Sequence, residues 1–76
     1  MNVLGFDIGG TKCAVALSQV SEEEILWLKR WEMKTDSNWQ MVLEQLIEQG
    51  KNMLEEFRID KTICTIGISC GGPLNA

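Results

Sequence analysis

The sequence predicts an α/β domain in which three strands, one helix and a final strand form a mixed sheet, in the order β-β-β-α-β. Short apolar runs separated by turn residues occupy the first half of the chain, which indicates strands. A long segment with apolar residues at three- and four-residue spacing follows, and another short apolar run comes after it. Because a helix between strands implies a crossover connection, the last strand should lie parallel to an earlier one.

The composition indicates one small globular domain and excludes several classes of function. The chain has 76 residues, of which 45% are hydrophobic and 24% charged, with a net charge of −4. An acidic balance argues against a nucleic-acid or anionic-membrane surface. Neither a signal peptide nor an apolar stretch of membrane-spanning length is found, so we expect a cytoplasmic protein without membrane contact.

Histidine is absent from the sequence, which removes imidazole general-base catalysis and His-ligated zinc. The cysteines are Cys13, Cys64 and Cys70, and they show no Cys-x-x-Cys spacing. Cys64 and Cys70 are too far apart along a strand to form a disulfide. We therefore expect three buried thiols in a reducing compartment.

A tight turn joins the first two strands, predicted over residues 2–8 and 12–18. Its sequence is Asp7-Ile8-Gly9-Gly10-Thr11-Lys12. Adjacent glycines carry no Cβ atoms, so a ligand can approach the backbone closely. The free amides, the Thr11 hydroxyl and the Lys12 ammonium can then hold an anion such as phosphate. The Asp7 carboxylate fits beside that anion if a hydrated Mg²⁺ lies between them.

The third strand is predicted over residues 25–33 and the helix over residues 38–57. Trp27 and Trp31 have the same parity in the strand, and large aromatics on one strand face are more often core than a stacking platform. In the helix, Ser37 is the expected N-cap, with Gln40 completing a capping box and Asp36 adding a favourable charge. Gly50 falls on the apolar stripe, where it lets the helix lie close to the sheet.

The final strand, predicted over residues 62–70, is apolar on both faces, which is typical of a buried central parallel strand. It ends in a second glycine turn, Gly71-Gly72-Pro73. If this strand is the neighbour of the first, both glycine turns lie at one crevice, where open α/β sheets bind ligands. Asp-x-Gly-Gly also suits an ordinary turn without a ligand, but two converging glycine turns favour the binding interpretation.

A mostly parallel sheet needs cover on both faces, and one helix covers only one of them. The other face, carrying residues such as Trp27 or Phe6, is expected to be bare. We therefore expect residues 1–76 to be the first part of a larger single domain, incomplete without following residues. On its own, the chain should form a homo-oligomer through the uncovered sheet face, or aggregate.

The two glycine turns and their flanking strands resemble a known family. The segment Leu4 to Lys12 resembles the first phosphate motif of the ROK family of sugar kinases and sugar-responsive repressors. The segment Ile66 to Leu74 resembles the motif that follows it, an apolar-Gly-apolar strand ending in Gly-Pro-Leu, although Gly71 and Asn75 stand where Pro and Asp are common. The β-β-β-α-β order is also that of the ribonuclease-H-like fold of actin/hexokinase-type ATPases, so the resemblance implies half of such a domain.

The resemblance also implies roles for individual residues. It implies that Gly9, Gly10, Thr11 and Lys12 contact the phosphates of ATP. It also implies that Asp7 contacts Mg²⁺ through water and that Gly71 and Gly72 contact the sugar. The implied reaction is transfer of the γ-phosphoryl group of ATP to a hexose hydroxyl, as in a glucokinase. The family's catalytic Asp, its sugar-binding Glu and His residues and its zinc motif match no residue of this chain. We therefore expect no catalytic residue here and no activity from the 76 residues alone.

Two other functions remain open from the sequence. A sugar-sensing regulator of the same family would bind sugar without catalysis, although the acidic charge disfavours DNA binding by this segment. A ribonuclease-H-like nuclease needs several carboxylates at strand ends to hold two metals. Asp7 is the one carboxylate at such a position, because the last strand ends in Ser69-Cys70, and a nuclease is therefore disfavoured.

Overall fold

A computed structural model describes residues 1–70 and confirms the predicted β-β-β-α-β order. Its elements are β1 (Asn2–Ile8), β2 (Lys12–Val20), β3 (Ile25–Lys34), α1 (Trp39–Glu56) and β4 (Thr65–Cys70), with a short 3₁₀ turn at Lys61–Ile63 before β4. Two residues of the 3₁₀ turn, Thr62 and Ile63, were assigned to the last strand by the sequence pattern. Asp60 caps this turn by accepting the backbone N–H of Thr62 at 2.9 Å.

The strands form one mixed sheet in the order β3-β2-β1-β4. β1 and β2 form the predicted antiparallel hairpin, and β2 pairs antiparallel with β3. β4 pairs parallel with β1, so that Ile8 lies beside Cys70 at the carboxyl ends of both strands. The sheet therefore places the end of β4 at the same rim as the first glycine turn, as predicted.

The core lies between α1 and the middle of the sheet. Its central residues are Val15 and Leu17 on β2, which contact Val42 and Leu46 on α1, and all four are less than 2% exposed. Gly50 is also buried on this side of the helix, and a Cβ built there would lie 3.0 Å from a methyl carbon of Leu4. The close approach of helix and sheet that was predicted for this glycine is confirmed.

The two tryptophans of β3 do not share a face, contrary to the sequence-based prediction. The pairing of β2 with β3 shifts between Leu17 and Ser18, so Leu17 pairs with Lys29 but Ser18 pairs with Trp27. This bulge adds a residue to β3 and reverses the parity beyond it. Trp31 therefore packs against the core, as expected, whereas Trp27 is 67% exposed on the opposite face.

The helix begins one residue later than predicted, and Asn38 is its N-cap in place of Ser37. The side-chain oxygen of Asn38 accepts the backbone N–H of Met41 at 3.2 Å, which satisfies a free amide of the first turn. Asp36 in turn accepts the backbone N–H of Asn38 at 2.9 Å. Asn competes well with Ser as a cap, and here the carboxylate of Asp36 fixes its backbone.

β4 is neither central nor buried in the described part of the chain. It is the edge strand beside β1, and all six of its residues are exposed. Among the cysteines only Cys13 is buried, while Cys64 is half-buried and Cys70 exposed, so the expectation of three buried thiols is wrong for two of them. The apolar composition of β4 was correctly identified, but no element among residues 1–70 covers it.

The sheet face opposite α1 is bare and is built mainly from small residues. Gly5, Ala16 and Gly67 form the floor of an open depression of about 450 Å³, which Trp27 and Arg30 border on one side. Phe6, which was expected on this face, instead packs against the core on the helix side. Within residues 1–70, no helix is both long and apolar enough to cross a lipid bilayer.

Candidate phosphate-binding turn

The turn between β1 and β2 is held in place by hydrogen bonds to its carbonyl groups. The backbone N–H of Gly9 donates to the carbonyl oxygen of Lys12 at 3.0 Å, which closes the turn. From β3's end, Thr35 donates twice, from its hydroxyl to the Gly9 carbonyl at 2.8 Å and from its backbone N–H to the Thr11 carbonyl at 2.9 Å. The turn is thus held both by its own backbone hydrogen bond and by Thr35, without a bound ligand.

Gly9 is required by close packing inside this turn. A Cβ built on Gly9 would lie 2.8 Å from the carbonyl oxygen of Lys12, a distance that real Cβ contacts essentially never show. Because the contacted atom belongs to the backbone, it cannot move aside without opening the turn. A side chain at this position is therefore incompatible with the observed conformation.

The backbone N–H groups of Gly10 and Thr11 donate to no other group within residues 1–70. Both residues are exposed, so these amides face solvent. Consecutive unpaired amides in a turn carry partial positive charge and form a concave site for an anion. These are two of the amides that the sequence-based prediction assigned to an anion, and that role stays a prediction.

A second lysine lies beside the turn, which the sequence analysis missed. Lys12 at the start of β2 pairs directly with Lys34 at the end of β3, and both are exposed. Directly opposite residues of an antiparallel pair project from the same face, and like charges in that position repel one another. An anion at the turn would relieve that repulsion. The loop of the second hairpin alone would pair Lys12 with Met33, and the bulge between Leu17 and Ser18 brings Lys34 to that place instead.

Asp7 is exposed on the bare face of the sheet, in a row with Ser69 on β4 and Ala14 on β2. It borders the open depression on that face together with Ser69. Residues 1–70 contain no cluster of three or more His, Cys, Asp or Glu side chains that could enclose a metal. A single exposed carboxylate fits Mg²⁺ that keeps most of its own waters, and it does not fit a dehydrated metal cage.

The second glycine turn lies outside the described residues, so the predicted roles of Gly71 and Gly72 stay predictions. The strand that leads to them ends at Cys70, beside Ile8 of β1. Of the predicted site residues, Asp7, Gly9, Gly10, Thr11 and Lys12 lie along one continuous stretch at this rim of the sheet.

Comparison with solved structures identifies the fold. Two structures of the Aquifex aeolicus Ppx/GppA family member match with a TM-score of 0.58 and 12% sequence identity, and each comparison covers 95% of this chain and 26% of the other. The type II variant of the Aquifex aeolicus Ppx/GppA phosphatase matches with a TM-score of 0.59 and 13% identity over the same shares. No family model and no curated protein sequence matches the chain.

These neighbours belong to the actin/hexokinase-type ATPase superfamily. The chain has the fold of an N-terminal half-domain of that class, with a mixed four-stranded sheet and one helix. It spans about a quarter of the length of the solved chains that it matches (26%). At 12–13% identity this likeness concerns the fold alone.

Proposed function

We propose that this chain is the phosphate-binding part of an ATP-dependent sugar kinase, with Gly9 to Lys12 holding the phosphates of ATP. The observation that carries the proposal is the pair of unpaired amides at Gly10 and Thr11, next to the facing lysines Lys12 and Lys34. Amides and ammonium groups at fixed positions stabilise the negative charge of phosphoryl groups during transfer. The ROK-like sequence of the turn supports a hexose as the acceptor.

Each residue of the turn has a distinct part in this mechanism. The amides of Gly10 and Thr11 orient the phosphates, and the two lysines neutralise their charge. Asp7 holds Mg²⁺ through water, and the bound metal neutralises charge on the transferring phosphoryl group. Gly71 and Gly72 contact the sugar through the backbone. Because the family's catalytic Asp matches no residue of this chain, we expect it to be inactive alone.

Two alternatives lead to different substrates. A phosphatase is favoured by the Ppx/GppA neighbours, one of which is described as a phosphatase. In that case the turn binds the phosphates of a substrate that need not contain adenosine. A sugar-sensing regulator is the second alternative, and it requires sugar binding without phosphoryl transfer.

Amide-resolved NMR titration of the 76-residue chain tests the proposal. We expect MgATP to shift the amide resonances of Gly10 and Thr11, and glucose to shift those of Gly71 and Gly72. The Gly9→Ala variant should lose the first response, because its Cβ collides with the Lys12 carbonyl. No shift at Gly10 and Thr11 up to millimolar MgATP would contradict the proposal.

One further ligand and two further comparisons separate the alternatives. Tripolyphosphate with Mg²⁺ binding as tightly as MgATP favours the phosphatase, since adenosine then contributes nothing. Glucose binding without any response to MgATP favours the regulator. ADP release by the chain with glucose and MgATP would overturn the expectation of inactivity.

Lysine variants measure the contribution of charge. Lys34→Ala and Lys12→Ala should each weaken MgATP binding roughly threefold to tenfold, as expected for a charge-assisted contact. Lys61→Ala is the matched control, because Lys61 lies in the 3₁₀ turn before β4, away from the carboxyl ends of the strands. An equal loss in all three variants would indicate a general effect of net charge and not a site.

We also propose that the isolated chain self-associates through uncovered parts of its sheet. β4 carries no charged residue, and Ile66 and Ile68 are 61% and 68% exposed. An uncharged edge strand with exposed apolar side chains is open to pairing with a second copy. β3, at the other edge, carries four charged residues and a bulge, which oppose such pairing.

Sedimentation analysis of wild type and two edge variants tests this association. We expect the wild-type mass to rise with concentration, Ile68→Lys to remain monomeric, and Leu26→Lys on β3 to behave as wild type. A wild-type chain that stays monomeric from micromolar to millimolar concentration would refute self-association. If only Leu26→Lys loses association, the interface lies at β3 and not at β4.

A further inference from the structure

Thr35, directly after β3, contacts the glycine turn at two points and the neighbouring Cys13 of β2 at a third. Its hydroxyl oxygen lies 2.8 Å from the Gly9 carbonyl oxygen, its backbone N–H lies 2.9 Å from the Thr11 carbonyl oxygen, and the Cys13 sulfur lies 3.2 Å from its hydroxyl. The Cys13 sulfur also lies 3.8 Å from the Gly9 carbonyl oxygen, so the thiol is a second and longer contact to the carbonyl that the Thr35 hydroxyl binds. Thr35 is half-buried and Cys13 is 1% exposed, so water competes little for these bonds.

The bond to Gly9 decides the direction of a free amide. The carbonyl of Gly9 and the N–H of Gly10 belong to the same planar trans peptide, and the two groups point in opposite directions. When Thr35 holds the carbonyl of Gly9 against the sheet, the N–H of Gly10 must point away from it. That N–H donates to no other group within residues 1–70 and is one of the two proposed phosphate ligands.

We propose that Thr35 is a positioning residue for the phosphate-binding turn, acting through the Gly9–Gly10 peptide without touching the ligand. The effect of Thr35 on ligand binding rests on the proposed function, whereas the orientation of the Gly9–Gly10 peptide is a property of the unliganded chain. A turn oriented in advance loses less conformational freedom when the anion arrives, so binding is tighter. A flipped peptide would instead present the Gly9 carbonyl, which repels phosphate.

Two substitutions at position 35 separate the hydroxyl from the rest of the side chain. Thr35→Val keeps the β-branched shape and the backbone bond to Thr11 but removes the hydroxyl, whereas Thr35→Ser keeps the hydroxyl. Thr65→Val is the matched control, because Thr65 is an exposed strand threonine on β4 whose hydroxyl makes no hydrogen bond within residues 1–70. Each variant is compared with wild type by the Gly10 amide resonance and by MgATP titration.

In the absence of ligand, we expect Thr35→Val to move and broaden the Gly10 amide resonance, and Thr35→Ser to restore it. With MgATP, Thr35→Val should bind roughly threefold to tenfold more weakly, the range set by one lost hydrogen bond. Thr35→Ser should bind within about twofold of wild type. Thr65→Val should change neither measurement.

The outcomes for Thr35 and for the proposed function are distinguishable. If wild type binds MgATP and Thr35→Val binds equally well with an unchanged Gly10 resonance, the positioning role is overturned and the proposed function stands. If wild type does not bind, the proposed function fails, and an unchanged Gly10 resonance in Thr35→Val then overturns the positioning role separately. If Thr35→Val lowers the melting temperature but leaves the Gly10 amide resonance unchanged, Thr35 stabilises the fold without positioning the turn, and the proposal is overturned.

A wild-type measurement covers the case in which Thr35→Val does not fold. The Thr35 hydroxyl proton should exchange slowly with water, because it is bonded to Gly9 in a half-buried site. Its exchange should slow further when MgATP binds at the turn. A hydroxyl proton that exchanges as fast as that of an exposed threonine overturns the proposal.

Discussion

β2 and β4 show how differently two apolar strands of one small sheet can be covered. Six consecutive residues of β2, from Cys13 to Ser18, are buried, whereas all six residues of β4 are exposed. Both strands have apolar residues on the helix side, but α1 packs mainly against β2. Ala14, Ala16 and Ser18 of β2 face away from α1 and are still buried. Burial in this chain therefore depends on the central position of β2 in the sheet and on the position of the helix, more than on the hydrophobicity of each strand.

The molecule thus has a covered half, around β2, and an uncovered half, around β4. The exposed apolar surface of the uncovered half continues onto part of the helix. Leu43 and Ile47 of α1 are 44% and 49% exposed, and with Ile68 they border an entirely apolar groove between helix and edge strand. The apolar stripe of the helix is thus wider than the surface that it covers. Exposed apolar patches of this kind are typical of interaction surfaces, which agrees with the proposed self-association.

The largest expected difference between the two halves is in the free energy of unfolding that is lost when a large apolar side chain is shortened to alanine. Leu46→Ala should lower the free energy of unfolding by about 2–5 kcal/mol, because Leu46 is 1% exposed and its removal leaves a cavity. Ile68→Ala should cost less than about 1 kcal/mol, because most of its side chain is already in water. Chemical denaturation at low protein concentration measures both.

Similar costs for Leu46→Ala and Ile68→Ala would mean that β4 is covered in solution. The low concentration matters, because self-association through β4 would bury Ile68 and raise its apparent contribution.

Two glycine substitutions should differ in sign. Gly50→Ala should destabilise the chain by roughly 1 kcal/mol, because the new methyl group lies 3.0 Å from a methyl of the buried Leu4, and this overpacking exceeds the gain in helix propensity. Gly67→Ala should stabilise it by about 0.5 kcal/mol, because a Cβ there meets nothing within 4 Å and the unfolded chain loses freedom. Thermal unfolding of both variants checks the signs, and an equal sign would contradict the contrast between the two halves.

The smallest expected effect concerns an ion pair at the end of the covered half. Lys29 on β3 lies 2.7 Å from Glu56 at the end of α1, with both side chains about half exposed (46% and 50%). Lys29→Gln should cost about 0.2–1 kcal/mol, and less at high salt, because solvent screens the pair. Arg30→Gln is the control, because the Arg30–Glu32 pair at 3.3 Å joins residues of the same strand. A salt-independent loss in Lys29→Gln would indicate packing by its stem.

The predicted element order and the parallel neighbour of β1 were correct because both follow from local patterns and chain connectivity. Alternation, the three- and four-residue helical spacing and the turn glycines are all properties of short segments. The Asp7 to Lys12 turn was likewise found from its residues. The position of the cap, by contrast, was decided by which neighbouring side chain reached the free amide, and Asn38 replaced Ser37.

Three features of the molecule depended on contacts between distant segments. The bulge opposite Leu17 and Ser18 moved Trp27 to the bare face, the hairpin register placed Lys34 opposite Lys12, and Thr35 reached the carbonyl of Gly9. None of these leaves a trace in the periodicity of a single strand. The covering of β2 and the exposure of β4 belong to the same group, because they depend on the strand order and on where α1 lies.

By itself, the sequence determined the α/β order of elements and the glycine turn with the groups proposed to bind an anion, because backbone conformation and residue chemistry are encoded within a few positions. Only the tertiary structure decided which strand is buried, which lysine joins the turn and which residue orients its amides. Those properties arise when segments far apart in the chain come into contact, and a single apolar or polar residue does not specify its partner.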